Sequence, residues 1–459
     1  MDTYREEARE IPIRYQAGVV VVGGGVAGVS AAIAAARTGA DTLLIERYGA
    51  LGGNLTIGLL EASMSFHDRR GKQLIGGIPD EIVQRLKAAG GSVGHVEDDV
   101  GYSGTVTPYD PEELKMVCLE MTQEAGVRLL LHTWVVDTVV DGACLRGLLI
   151  ENKSGRQGVA GQVFVDCSGD ADVAALAGAE FLKGRAQDGL TQPMSILFKV
   201  GNVNVDGVIA YVERCPEDFR LGKAPGDLRH SPAIHLWGFG RILEAGYAAG
   251  ALPFHLSEMH VLILPDRGEA IINATRVSGD GTRTDDLTRA EIELRRQVKA
   301  LVAHLRHACP GFERSYLMTT AMGAQVRETR RIVGEYTLTE ADVVYGTQFP
   351  DAVVQNDFPI DLHMPEGKGM EGRLTESSHQ IPYRCLVPKT RDGLLVAGRC
   401  VSATREALGA VRLTAPAMAM GQAAGTAAAL AVRAGRQPRD VDIELLRADL
   451  RRGGAILPD

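Results

Sequence analysis

Residues 19–46, VVVVGGGVAGVSAAIAAARTGADTLLIE, constrain the fold more than any other stretch of this chain. Four consecutive valines, Val19, Val20, Val21 and Val22, suit a strand buried on both faces. Gly23, Gly25 and Gly28 follow with G-x-G-x-x-G spacing, then an Ala-rich helix over 30–38 that Gly39 ends. A second apolar strand over 42–45 finishes on Glu46. Each part has a task in holding a dinucleotide. Gly23 permits the tight turn, Gly25 lets the backbone approach a pyrophosphate, and Gly28 lets helix pack on strand. The helix N-terminus offers free N–H groups and partial positive charge to the phosphates. Glu46 stands where a carboxylate accepts from the hydroxyls of an adenosine ribose, and an acid there disfavours a 2′-phosphate. A glycine triplet alone is weak, but strand, helix, second strand and acid all agree. The expectation is FAD or NAD, against the plain alternative of a βαβ unit that holds nothing.

Composition sets the outer limits. At 459 residues the chain exceeds one ordinary domain. With 45% hydrophobic and 23% charged residues it is expected to be a soluble globule with a sizeable core. A formal charge of −9 argues against a nucleic-acid or anionic-membrane surface. The seven cysteines are scattered without C-x-x-C spacing, which disfavours iron–sulfur or redox-disulfide chemistry and suits reduced thiols in the cytoplasm. The charged N-terminus lacks the apolar core of a signal peptide. The uncharged stretch 413–432 is mostly Ala and Gly, so it reads as a buried helix packed through Gly421 and Gly425, not as a membrane span.

Further along, 90–104 reads as an exposed acidic loop. A helix follows over 111–125, with Asp110 as N-cap and Pro111 at N1. Residues 134–163 suggest a small antiparallel meander with turns at Asp141-Gly142 and Ser154-Gly155. Another buried strand ends at Asp170. From about 182 to 377 the texture changes to short strands and a helix over 286–307, where His304 and His307 are expected on a solvated face rather than in a metal site. No metal site is expected elsewhere. GLLVAG at 393–398 then returns to the first texture. The fold expected is α/β: a Rossmann-like FAD-binding domain with an antiparallel meander and an inserted α+β substrate domain. Its parts are 17–181, 182–377 (substrate domain), 378–435, and a C-terminal helix and tail over 436–459.

Four blocks carry a family resemblance: the opening unit through LIERYGALGGN, then VFVDCSGDADVA, VRETRRIVGEYTLTEADV, and the stretch from IPYRCLVPKTRDGLLVAGRC to the Ala/Gly helix. Through them the chain resembles the FAD-dependent oxidoreductases within the glutathione-reductase-like flavoproteins. The resemblance implies an extended FAD, its pyrophosphate at Gly23, Gly25, Val26, Ala27 and Gly28 and its adenosine at Glu46 and Arg47. Gly52, Gly53 and Asn54 would pass beside the isoalloxazine, and Asp170, Gly398, Arg399 and Arg412 would complete the site. Many relatives place an Asp after the last strand to bind a ribityl hydroxyl. Here Gly398-Arg399-Cys400 stands instead, so that contact must be made differently. The helix starting near Ala415, with Pro416 in its first turn, should aim its N-terminus at the flavin pyrimidine and favour negative charge there in the reduced flavin.

For catalysis the candidates are His363, Arg384, Arg327 and Arg331. Hydride transfer needs a substrate held over the flavin, with a base or a charge clamp. Residues 327–331 have two readings: an arginine clamp, or a solvated helix face paired with Glu328 and Glu335. His363 is either a structural histidine or a catalytic or substrate-binding one, and Arg384 is expected at the substrate or flavin edge. His255 and His260 read as structural, Cys385 and Cys400 as buried inert thiols. The leading expectation is hydride transfer between flavin N5 and a small polar metabolite, an anionic one held by arginine among the options. The alternatives are an NADH-fed reductase of a double bond, for which no second dinucleotide fingerprint is found, and a non-enzymatic binding module on the flavoprotein fold. The electron acceptor and any homo-oligomer are left open.

Overall fold

The computed structural model describes residues 2–4, 6–366 and 369–458. The first elements that position the site are β1 (Ile13–Val22), α1 (Val26–Arg37), β2 (Thr42–Ile45), α2 (Ile78–Ala88), α3 (Pro111–Glu124), β3 (Arg128–Leu130), β4 (Trp134–Asp141), β5 (Cys144–Asn152) and β6 (Gly155–Asp166). There follow β7 (Phe198–Gly201), β8 (Phe219–Arg220), β9 (Ile234–Gly238), β10 (Met259–Leu264), β11 (Glu269–Asn273), α4 (Thr284–Ala308), β12 (Tyr316–Thr320) and β13 (Arg330–Ile332). The chain closes with β14 (Ile360–His363), β15 (Met370–Arg373), β16 (Leu394–Val396) and α5 (Thr414–Ala434).

The valine run forms the centre of a seven-stranded sheet ordered β3-β2-β1-β6-β5-β4, with β16 also paired to β6. β1 is parallel to β2 and β6, in the register Val19↔Thr42 and Val19↔Val163. β4, β5 and β6 form the antiparallel meander. Only the last three residues of β6, Phe164 to Asp166, carry β16, so the chain re-enters its first sheet some 230 residues later as a parallel strand. Val19, Val20 and Val21 are fully buried, which fits a strand covered on both faces.

α1 and α5 lie against one another beneath this sheet, and glycine sets their separation. A Cβ on Gly421 would stand 2.0 Å from the Ala27 carbonyl oxygen, and one on Gly425 2.0 Å from that of Ala31. α5 is buried along nearly its whole length, as its small-residue composition requires. Pro416 lies in its first turn, where its missing N–H leaves no bond unmade. Among the described residues, no helix is long and apolar enough to cross a membrane.

The second sheet has six strands, ordered β8-β9-β10-β11-β7-β12 and antiparallel throughout. α4 covers it with Ala290, Leu294, Val298, Leu301 and Leu305. Two expectations change here. His304 is buried, not solvated: its Nε2 donates to the Ile242 carbonyl (2.9 Å) and it fills the space beside Gly246. The 90–104 stretch is not an exposed acidic loop either. Asp98 and Asp99 are buried, and their carboxylates accept from four backbone N–H groups, those of Val100, Tyr102, Ser103 and His235. Acidic side chains can be buried when they have this many donors.

Candidate functional site

The β1–α1 turn is built as its glycines demand. Gly23 has φ +98°, and a Cβ there would lie 2.5 Å from the Cys167 carbonyl. Gly28 admits none, since its Cβ would meet the Gly23 carbonyl at 1.7 Å. Gly25 is the opposite case, with nothing nearer its Cβ position than Gly53 Cα at 3.9 Å, because it faces a cleft. That cleft encloses about 1400 Å³, its open mouth included, and runs between the first sheet and residues 323–326.

At one end of the cleft Glu46 is buried, accepting from the Gly24 N–H (2.5 Å) and the Tyr48 N–H (2.8 Å). Arg47 lies over the rings of Tyr48 and Trp134, 5.0 and 5.3 Å from their centroids, and the half-exposed Trp134 lines the cleft. Along the middle run Gly23, Gly25, Val26 and Ala27, with Gly53 and Asn54 opposite. Gly52 and Gly28 shape the walls without lining them: the Gly52 N–H donates to the Gly24 carbonyl (2.8 Å) and holds the 52–54 turn against the fingerprint. Gly398, Arg399, Arg412, Thr414 and Ala417 also line the cleft, Gly398 beside Ala27. The first turns of α1 and α5 thus both border one cleft, and both helix dipoles favour negative charge inside it.

The missing Asp after the last strand also finds its explanation. Arg399 occupies that place and donates through Nη2 to Asp170 Oδ1 (2.8 Å), which also accepts from Thr329 Oγ1 (2.8 Å). Asp170 therefore enters the cleft already held in position. The glycine-lined floor, the buried carboxylate of Glu46 and the paired helix N-termini all fit an FAD molecule lying extended.

Such a fold and cleft define a Rossmann-type flavoprotein. The family model described as FAD dependent oxidoreductase matches residues 18–450, and the chain belongs to that family, with FAD as its cofactor. Comparison with curated proteins finds no match. Among solved structures, the chain is similar to a geranylgeranyl bacteriochlorophyll reductase-like protein from Thermoplasma acidophilum, at 13% identity and TM-score 0.48, covering 95% of this chain and 83% of that one. It is similar also to a p-nitrophenol 4-monooxygenase from Pseudomonas putida, at 12% identity and TM-score 0.48, covering 95% and 84%. A myxobacterial chondrochloren halogenase gives 14%, TM-score 0.47, and 96% and 79%.

The four catalytic candidates separate. Arg384 lies away from the cleft: it is half exposed, forms a bidentate pair with Asp351 (2.9 and 3.1 Å) and covers the Tyr336 ring. Arg331 is buried but structural, bound to Glu328 (2.5 Å) and to the carbonyls of Ala403 and Gly184. Residues 327–331 are thus no solvated helix face. They run into β13, and Glu328, fully buried, also accepts from Arg405 (3.3 Å) and the Gln192 N–H (3.2 Å).

Arg327 and His363 both stand at a smaller polar pocket, His363 in its lining and Arg327 behind it. Arg412, which lines the cleft, donates to Asp361 Oδ2 (2.9 Å), and Asp361 Oδ1 is 3.5 Å from His363 Nε2. His363 lines the smaller pocket with Pro193, Ser257, Glu258, His260 and Arg276. Arg327 backs this pocket, donating to the Pro193 carbonyl (2.8 Å) and Ser195 Oγ (2.6 Å). Burial holds His363 well below the usual histidine range, and the facing Arg327, Arg276 and Arg412 lower it further, so its imidazole is neutral at pH 7. His260 is stacked on Trp237 (4.2 Å, 10°), whose indole N–H donates to His235 Nε2 (3.0 Å). His235 in turn is fixed by Asp98 (2.7 Å), so the buried acids of the 90–104 stretch brace the pocket wall.

Sequence reading passed over Trp134, Ser195, Asn273 and Arg276. The last two carried a weak signal, N-A-T-R directly after an apolar strand, since polar residues at strand ends often face sites.

Proposed function

We propose that this FAD-dependent oxidoreductase moves a hydride between a small polar metabolite and flavin N5, with segment 182–377 supplying the substrate side. The observation that carries the reading is the contact chain Arg412–Asp361–His363, which joins the cofactor cleft to a second, polar pocket. Bound FAD supplies the two-electron chemistry. The chain's own residues supply the rest. Neutral His363 accepts the O–H or N–H proton as the neighbouring C–H bond gives up its electron pair. Asp361, itself held by Arg412, sets a carboxylate 3.5 Å from His363 Nε2 and favours the imidazolium that results. The Arg327 guanidinium keeps Pro193 and Ser195 in place at the pocket wall.

Purified protein should show the flavin spectrum, and under anaerobic conditions a panel of small hydroxy and amino compounds should bleach it. No flavin absorbance even after adding FAD would sink the reading. Bleaching by NADH and by no metabolite would reverse its direction.

A further inference from the structure

Arg327 is buried and Arg276 partly buried, yet among the described residues neither guanidinium has a carboxylate oxygen within 4.0 Å, although many other arginines of the chain do. Both spend their hydrogen bonds on neutral oxygens and share them. Arg276 Nη1 donates to Ser195 Oγ (3.2 Å), Asn273 Oδ1 (2.9 Å) and the Thr275 carbonyl (2.7 Å). Arg327 uses the same Ser195 and Asn273 (2.6 and 3.4 Å). The Nε and Nη2 edge of Arg276 meets no acceptor among the described residues, and Arg276 lines the smaller pocket. The surroundings are short of partners too. Asp361 Oδ1, Glu61 Oε2, Gln192 Nε2 and Arg412 Nε are buried with no hydrogen-bond partner among the described residues. A buried cation without a counter-ion is expensive, and a guanidinium fork with its donors free fits a carboxylate edge-on. Burial pulls Arg276 down to about 10, still cationic at neutral pH, with Asp361, Glu61 and Glu258 opposing the shift from beyond ion-pair distance; burial pulls Arg327 well down, and repulsion from Arg276 and Arg412 adds to it.

We infer that the smaller pocket takes the carboxylate of a short-chain carboxylic acid substrate, gripped by the free edge of Arg276 and placed beside His363. Arg327 is a positioning residue: it holds Ser195 and Asn273 against Arg276 and adds positive field. The pocket's own acid, Glu258, is turned to His260 (3.5 Å) and leaves the Arg276 edge open. The space is small, which restricts its occupant to a molecule of a few carbons. This inference rests on the proposed hydride-transfer reading for the role of His363, but binding can be tested apart from turnover.

The FAD-loaded protein is titrated with acetate, lactate and succinate, and with acetamide, lactamide and succinamide, at constant ionic strength set with chloride. Binding is read by calorimetry and by shifts of the flavin visible spectrum. At least one carboxylate should bind saturably while its amide binds at least 10-fold more weakly. Arg276→Gln should weaken that carboxylate about 10- to 100-fold, and Arg276→Lys should restore part of the loss. Arg327→Gln should raise KM with a smaller change in kcat. Flavin content and circular dichroism verify that each variant is folded; if Arg276→Gln is not, the amide comparison on the wild type decides. Equal binding of acids and amides, or full affinity in folded Arg276→Gln, overturns the inference. Flavin bleaching by uncharged metabolites only would sink the carboxylate while leaving hydride transfer standing. Carboxylate binding without bleaching by any metabolite would do the reverse.

Discussion

Gly421→Ala tests how closely the cofactor cleft depends on helix packing. The new Cβ would lie 2.0 Å from the Ala27 carbonyl oxygen, where ordinary van der Waals contact begins at about 3.4 Å, so α1 and α5 must part by roughly 1 Å. Overpacking of this kind costs about 1–3 kcal/mol. Replacing glycine by alanine inside a helix returns at most about 1 kcal/mol. The expected net loss is about 1–2 kcal/mol, measured as the denaturant midpoint of the FAD-free protein. Ala27 lines the cleft, so the shift should also reach the cofactor, weakening FAD about 10-fold by fluorescence-quenching titration. Gly226→Ala is the control: nothing lies within 4 Å of its Cβ position, and stability should stay within about 0.5 kcal/mol of wild type. Unchanged stability and FAD affinity in Gly421→Ala would refute the claim that these two helices set the geometry of the cleft.

Glu46→Ala removes the acceptor of the Gly24 and Tyr48 N–H groups and the carboxylate expected to bind the FAD ribose, so FAD affinity should fall about 10- to 100-fold, with Glu46→Gln intermediate. His363→Ala should lower kcat about 10²- to 10⁴-fold at unchanged flavin content. Because burial depresses the His363 pKa, wild-type activity should stay level as pH falls through 6.5; an acid limb titrating near 6.5 that vanishes in the variant would contradict a depressed histidine. Asp166 is fully buried and raised to about 6, so its carboxyl stabilises the fold fully below about 4, and that contribution is lost as pH rises through about 6. The stability of Asp166→Asn relative to wild type should therefore climb by about 2 kcal/mol between pH 4 and 7 in denaturant titrations, and a flat difference would count against the burial argument.

Where the sequence was legible, the determining contacts are local. The strand, turn, helix and acid of 19–46 lie within one βαβ unit, and the small-residue face of 413–432 announces its own close packing. The meander over 134–163 shows in its turn dipeptides. The pocket was only partly legible because its residues converge from distant segments: Ser195, Asn273, Arg327 and His363 meet only through antiparallel pairings and loops that no local pattern encodes. Arg384 illustrates the opposite error. Its nearness in sequence to the last core strand pointed to the flavin, but Asp351 draws its guanidinium to the outer surface. His304 and Asp98 look like solvent-facing residues in composition, and only the partners that tertiary packing brings to them permit their burial.

The late return of β16 to the edge of β6 has a consequence for synthesis on the ribosome. Until residues 394–396 and the helix behind them emerge, a nascent chain would hold β6 with that edge unpaired and α1 without its neighbour. Cofactor capture is thereby postponed until most of the polypeptide exists, and truncated products should be unable to retain flavin and prone to pair strand edges with one another.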